Sequence, residues 1–259
     1  MFVDSHCHLD RLDLTPFKGE FASFMKETQM QQIQRMLCVS IDLESYSAMR
    51  RLVDGYDNVS VSVGVHPNEH TLKEPSVEEL VSLAGDSKVA AIGETGLDYY
   101  RSSGNLDWQR ERFRRHIQAA KITGKPLIIH TREARDDTIK VLMEEGADQV
   151  GGVFHCFTED WETAQQILDL GFFISFSGIV TFRNARSIQD VAKRIPENRF
   201  LIETDSPYLA PIPFRGKPNY PFYVKHVAQF IAELRGISLG RVAELSSGNF
   251  YRLFSPVRF

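Results

Sequence analysis

Two imidazoles stand two positions apart near the start of the chain, in Phe2-Val3-Asp4-Ser5-His6-Cys7-His8-Leu9, at the end of an apolar run. Strand side chains alternate, so His6 and His8 share a face. A polar pair turned into a sheet or barrel interior carries a severe desolvation cost unless something binds it, and a metal ion is the usual partner. Further metal-competent side chains recur at one kind of place: Glu94, His130, His155 and Asp205 each close a short apolar run. Four histidines and two carboxylates are too many for one tetrahedral ion but suit two ions bridged by a carboxylate and a water or hydroxide. Two divalent cations carry about four positive charges, of which two carboxylates and one hydroxide cancel about three. The remainder would attract an anionic phosphodiester, and water bound there, with a pKa near ~7, would attack it. The chemistry indicated is hydrolysis. Any one of these groups could instead be a hydrogen-bonding residue in a polar barrel mouth. Their recurrence at five strand ends is what argues for a site.

The elements that must carry them alternate. Short runs rich in β-branched and aromatic residues lie at Phe2 to Leu9, Arg35 to Ile41, Val59 to His66, Val89 to Glu94, Pro126 to Thr131, Gly152 to Phe157, Phe172 to Gly178 and Phe200 to Asp205. Segments of helical period separate them, which predicts βα units and a parallel sheet. Eight such units close a (β/α)8 TIM barrel of the α/β class, in which all C-terminal strand ends meet on one face. Ser76 with Glu79 forms a capping-box pattern, Asp160 can cap the next-but-two helix, and Leu239 to Leu253 reads as a final helix. No linker, repeat or low-complexity tract divides residues 1–259, so a single domain is expected. Tyr99 to Asp107 and Pro207 to Tyr220 are longer connections on the expected active-site rim.

The net charge of -4 gives no broad attraction to duplex nucleic acid or anionic membranes. Cys7, Cys38 and Cys156 are widely spaced and odd in number, which speaks against a disulfide framework. With no signal-peptide core and no apolar run long enough to span a bilayer, the expected location is the cytoplasm, without a membrane partner.

These residues resemble the TatD-type metal-dependent hydrolases, a group of amidohydrolase-like barrels that includes deoxyribonucleases. The resemblance rests on Val3 to Asp10, Gly64-Val65-His66-Pro67, Gly93-Glu94-Thr95-Gly96-Leu97-Asp98, Lys125 to Arg132, His155-Cys156-Phe157 and Leu201 to Pro207, and it covers essentially the whole chain. Phe176 to Phe182 with Arg215-Gly216-Lys217 looks most like the YcfH-type branch. The resemblance implies that His6, His8 and Asp205 bind one divalent ion and His130 and His155 a second, with Glu94 bridging. The ions would be zinc, manganese or magnesium. It also implies DNA as substrate, cut 3′-to-5′ from single-stranded ends; no obligatory protein partner is inferred from the sequence. The alternative is an ester or amide hydrolase on the same centre, acting on aminoacyl esters or small cyclic substrates.

Beyond the ligands, His66 could donate to a phosphate oxygen, and Arg132 and Arg215 could neutralise phosphate, against a bland role as a structural histidine and solvated loop charges. Asp205 could also take the proton of the attacking water. Glu203 shares its parity and could hold a ligating histidine. Tyr99, Tyr100, Phe157, Phe182 and Tyr208 are rim aromatics that could stack on a base or simply pack. Strand parity predicts that Cys7 and Cys156 face the outer helices, and Arg110 to Arg115 reads as a solvated helix face.

Overall fold

A computed structural model of the chain describes residues 1–69 and 73–254. Eight strands run parallel in sequential order: β1 (Phe2–Cys7), β2 (Ile33–Cys38), β3 (Val59–Val63), β4 (Val89–Asp98), β5 (Leu127–Arg132), β6 (Gly152–Phe154), β7 (Phe173–Phe176) and β8 (Phe200–Ile202). The helices between them are α1 (Phe21–Met30), α2 (Tyr46–Leu52), α3 (Val77–Ala84), α4 (Asp107–Thr123), α5 (Arg135–Glu144), α6 (Trp161–Asp169), α7 (Arg186–Arg194) and α8 (Val224–Arg235), followed by α9 (Leu239–Phe254). This is the expected (β/α)8 TIM barrel. The local signals act where the sequence placed them: the Ser76 hydroxyl accepts the Glu79 amide and Asp160 accepts that of Thr163.

The ring closes between its first and last strands by few bonds. One parallel bridge joins Cys7 to Ser206, and the Asp205 amide donates to the His6 carbonyl at 2.9 Å. Asp4 reinforces the seam, accepting the Thr204 amide at 2.8 Å and its hydroxyl at 2.5 Å. Inside, Val3, Leu37, Ala91, Ile128, Val153, Phe173 and Leu201 form a cluster with Phe250 and Phe254 of α9. Strands from opposite sides of the ring contribute, so this cluster fills the barrel. Asn249 of α9 donates to the Phe200 carbonyl at 2.8 Å, which places α9 over the end where strands begin. The other end is left for polar side chains. No helix among the described residues is long and apolar enough to cross a membrane.

Most strands stop short of their apolar runs, so His8, His66, His155 and Asp205 lie just beyond β1, β3, β6 and β8. Strand β4 is longer, continuing to Asp98 beside β5, with Gly96 opposite His130. Gly96 has φ +134°, and a Cβ there would lie 2.0 Å from the His130 carbonyl oxygen. Only glycine lets the two backbones approach so closely. Gly96→Ala is therefore expected to lower stability by about 3 kcal/mol or more, seen as a fall in the urea midpoint; an unchanged midpoint would mean that β4 can move away freely.

Candidate metal centre

The six metal-competent side chains named from sequence converge on the C-terminal mouth, although they come from five strands and their following turns. His6 Nε2, His8 Nε2 and Asp205 Oδ1 form one group, with separations of 3.3 Å between the imidazoles, 3.3 Å from His8 to Asp205 and 3.6 Å from His6 to Asp205. A second group surrounds Glu94 Oε1, with His155 Nε2 at 2.7 Å and His130 Nδ1 at 3.1 Å. The other oxygen of the same carboxylate, Oε2, lies 3.4 Å from His6 Nε2 and 3.9 Å from His8 Nε2. Glu94 thus presents one oxygen to each group.

For three of the rings a hydrogen bond on the far side decides what is shown to the centre. His8 Nδ1 is 3.0 Å from the Val39 carbonyl and donates to it, so Nε2 turns a lone pair inward. His130 Nε2 is 3.0 Å from Asp98 Oδ2 and donates there, so Nδ1 is the inward lone pair. His66 is set the opposite way. Its Nδ1 accepts the Asn68 amide at 3.1 Å, which leaves the proton on Nε2, 3.3 Å from His130 Nδ1 and 3.4 Å from Glu94 Oε1. Burial pushes the His66 pKa down to about 3, so this ring is a neutral donor near pH 7.

Burial would raise the Glu94 carboxyl, but His155 and His66 beside it and the hydrogen bonds of His130 and His155 hold it well below the usual range. Asp205 is held down similarly, burial being outweighed by His8 and His6. Burial and the neighbouring His155 press His6 below its ordinary value. Burial also acts on His8, His155 and His130, but Asp205, Glu94 and Asp98 respectively outweigh it and leave all three raised.

The donors fit metal ions. Ligands at about 2.0–2.1 Å from a tetrahedral centre stand about 3.3–3.4 Å apart, matching the edges of the His6, His8 and Asp205 group. Inward lone pairs at such distances repel unless a cation or shared protons lie between them. The donor set of imidazole and carboxylate suits zinc or manganese.

Several neighbours were missed or misplaced by sequence reasoning. Asp98 is 1 % exposed and touches His130, yet the sequence reading assigned it no role. Its signal was strand parity with Glu94, had the strand been carried four residues further. Glu203 is fully buried, 3.4 Å from His155 Nδ1, and accepts the Cys156 amide at 2.7 Å. Cys7 is buried in the outer cluster as expected, but Cys156 departs from strand parity. It lies past β6 at φ +45°, with its thiol 3.2 Å from the Ser177 hydroxyl, because a left-handed residue turns the chain out of the pleat. Arg112 is not on a solvated face: it is 2 % exposed and pairs with Glu74 while donating to the His66 and Glu69 carbonyls at 2.9 Å each. One turn on, His116 Nε2 accepts the Val65 amide at 3.0 Å and Nδ1 donates to the Arg112 carbonyl at 2.8 Å. Helix α4 thereby fixes the turn bearing His66.

The two arginines read as phosphate contacts are each held against an aromatic ring. The Arg132 guanidinium stacks 3.8 Å over the Tyr100 ring, and Arg215 lies 4.3 Å over Phe182. Tyr100 and Tyr208 are exposed on the rim, whereas Phe157 is buried and the Tyr99 hydroxyl donates to Asp137 at 2.6 Å. A separate cavity of about 710 Å³, lined by Met1, Lys26, Gln32 and Asn58 among others, opens at the other end, where strands begin.

A parallel barrel with histidines and acids gathered at its C-terminal mouth is an arrangement suited to metal-dependent hydrolysis. Comparison makes the assignment specific: residues 3–255 match the model described as TatD related DNase, and the chain belongs to the TatD family of metal-dependent hydrolases. It is 48% identical to the uncharacterized metal-dependent hydrolase YcfH of Escherichia coli (strain K12), over 97% of this chain and 95% of that protein. It is 38% identical to YabD of Bacillus subtilis (strain 168), over 98% and 99%. The crystal structure of YjjV, a TatD homolog from Escherichia coli, superposes with a TM-score of 0.88 at 27% identity, covering 98% of this chain and 97% of that one.

His116 yields a test of how the turn is held. Burial lowers its pKa to about 4 in the folded protein, against about 6.5 unfolded. The unfolded chain therefore takes up a proton that the folded one refuses, and stability falls as pH drops from about 6.5 to about 4, then levels. Its share is about 3 kcal/mol. Urea unfolding should show His116→Gln less sensitive than wild type across that window; parallel curves would contradict the burial of a neutral imidazole.

Proposed function

We propose that the chain hydrolyses phosphodiesters, as a 3′-to-5′ deoxyribonuclease acting on single-stranded DNA ends. His6, His8 and Asp205 would hold one divalent cation and His130 and His155 a second, with Glu94 shared between them. The observation that carries this reading is the division of Glu94, whose two oxygens face the two groups separately. Divalent ions there would polarise a phosphoryl oxygen and make bound water acidic enough to attack near neutral pH. The family description names a DNase, which brings DNA forward as the substrate.

The chain's own groups have distinct tasks. Asp205 remains 13% exposed, so its carboxylate can take the proton of the attacking water and return it to the leaving oxygen. His66 directs its Nε2 proton toward the centre, where it can bond a non-bridging phosphate oxygen. Arg132 and Arg215, each braced on an aromatic ring, would neutralise neighbouring phosphates of the strand. A net charge of -4 suits a pocket gripping a strand end better than a surface following duplex. The interior and mouth draw on strands from residue 2 to residue 202, which supports reading the chain as one hydrolase domain. Three free cysteines suit the reducing cytoplasm.

Metal-stripped protein given zinc, manganese or magnesium should shorten 5′-labelled single-stranded DNA stepwise from its 3′ end, and Glu94→Gln should lower kcat/KM by about a thousandfold or more. DNA left intact with every metal, alongside cleavage of an aminoacyl ester or amide, would move the substrate to the carboxylic derivatives. His66→Ala should lower kcat/KM about 10- to 100-fold while equilibrium dialysis finds unchanged metal content, because that ring presents a proton and no lone pair. Loss of metal with loss of His66 would make it a ligand instead.

A further inference from the structure

Asp98 Oδ2 accepts two hydrogen bonds, from His130 Nε2 at 3.0 Å and from the Asn68 side-chain amide at 2.8 Å. Its second oxygen accepts the Arg101 amide at 2.9 Å. The backbone of Asp98 is held as well: Gln109, fully buried on α4, accepts the Asp98 amide at 3.0 Å and donates to the Asp98 carbonyl at 3.2 Å. Gln109 also donates to Ser102, whose hydroxyl donates to the Asn68 side chain at 3.2 Å. Opposite His130, the carboxylate is thus held by Asn68 and Arg101, which belong to neither proposed cation.

Asn68 links this carboxylate to the other inward-facing ring. Its side chain donates to Asp98, while its backbone amide donates to His66 Nδ1 at 3.1 Å. One bracket therefore gives two rings opposite faces. His130 is obliged to turn a lone pair inward, and His66 is obliged to turn a proton inward.

The geometry points to Asp98 as the positioning residue of the centre, which with Asn68 makes His130 a ligand and keeps His66 a donor. This rests on the two-cation reading above. Without the carboxylate, His130 is free to move its proton to Nδ1 and to rotate away from Glu94. A carboxylate behind a ligating imidazole sets its tautomer and raises its basicity, and loss of such a partner weakens metal binding about 10- to 100-fold. Asp98 touches no substrate atom in this role.

The test is calorimetric titration of metal-free wild type, Asp98→Ala and Asp98→Asn with zinc, and the visible spectrum of each with cobalt. Wild type should bind two equivalents. Asp98→Ala should bind one of them about 10- to 100-fold more weakly with a changed cobalt spectrum, and Asp98→Asn, which keeps one acceptor oxygen, should lie between. The metal-free unfolding midpoint, compared across the three proteins, identifies a variant lost to misfolding, and Asp98→Asn then carries the comparison. Two equivalents at wild-type affinity and an unchanged spectrum in the folded variants would overturn the assignment while leaving the two-cation reading standing. A single equivalent in wild type would overturn that reading and the assignment with it.

Discussion

Glu94 is a carboxylate almost out of reach of water, and it stays ionised because imidazoles meet both of its oxygens. A charge in that position is tolerable only if its partners are held as firmly as it is. Much of the barrel's C-terminal end serves this requirement. Strand β4 brings Glu94 past β5 on a glycine that no other residue could replace without displacing His130, and the seam between β1 and the turn after β8 sets His6 and His8 beside Asp205. The apolar cluster inside the barrel and the plug of α9 at the opposite end leave only one face on which polar groups can gather.

Helix α4 has an unusual part in this arrangement. Its inner face carries Gln109, Arg112 and His116, each buried and each bonded to backbone at the mouth. A helix packed by apolar contacts alone could slide by fractions of an ångström without changing its energy much. Directional bonds to Asp98, His66 and Val65 remove that freedom, so the turns after β3 and β4 are referenced to the same rigid rod.

The fold and the convergence of the six candidate ligands were legible because both depend on patterns that survive in one dimension: the alternation of strand and helix, and ionisable residues at the ends of several apolar runs. What escaped depends on where a strand stops. Asp98 was overlooked because β4 persists beyond Glu94 on glycines that do not look like strand. Cys156 was assigned an outward face because β6 was carried past Phe154, where the chain has already turned left-handed. Arg112 looked solvated among four neighbouring charges, since its acceptors are the backbone of His66 and Glu69 and a side chain 38 positions away. No sequence pattern can show which ring nitrogen holds a proton, and that detail separates His66 from the other imidazoles.

The seam that unites Asp4 with Thr204 spans 200 positions of chain. During synthesis the His6 and His8 pair emerges first and has no third donor from the far end until Asp205 has followed and the ring has closed. Contacts of such separation form late, after shorter-range structure is in place. A nascent or truncated chain therefore lacks the full group of His6, His8 and Asp205, which comes together only in molecules whose ring has closed. Topology in this way withholds that constellation from every incomplete copy of the protein.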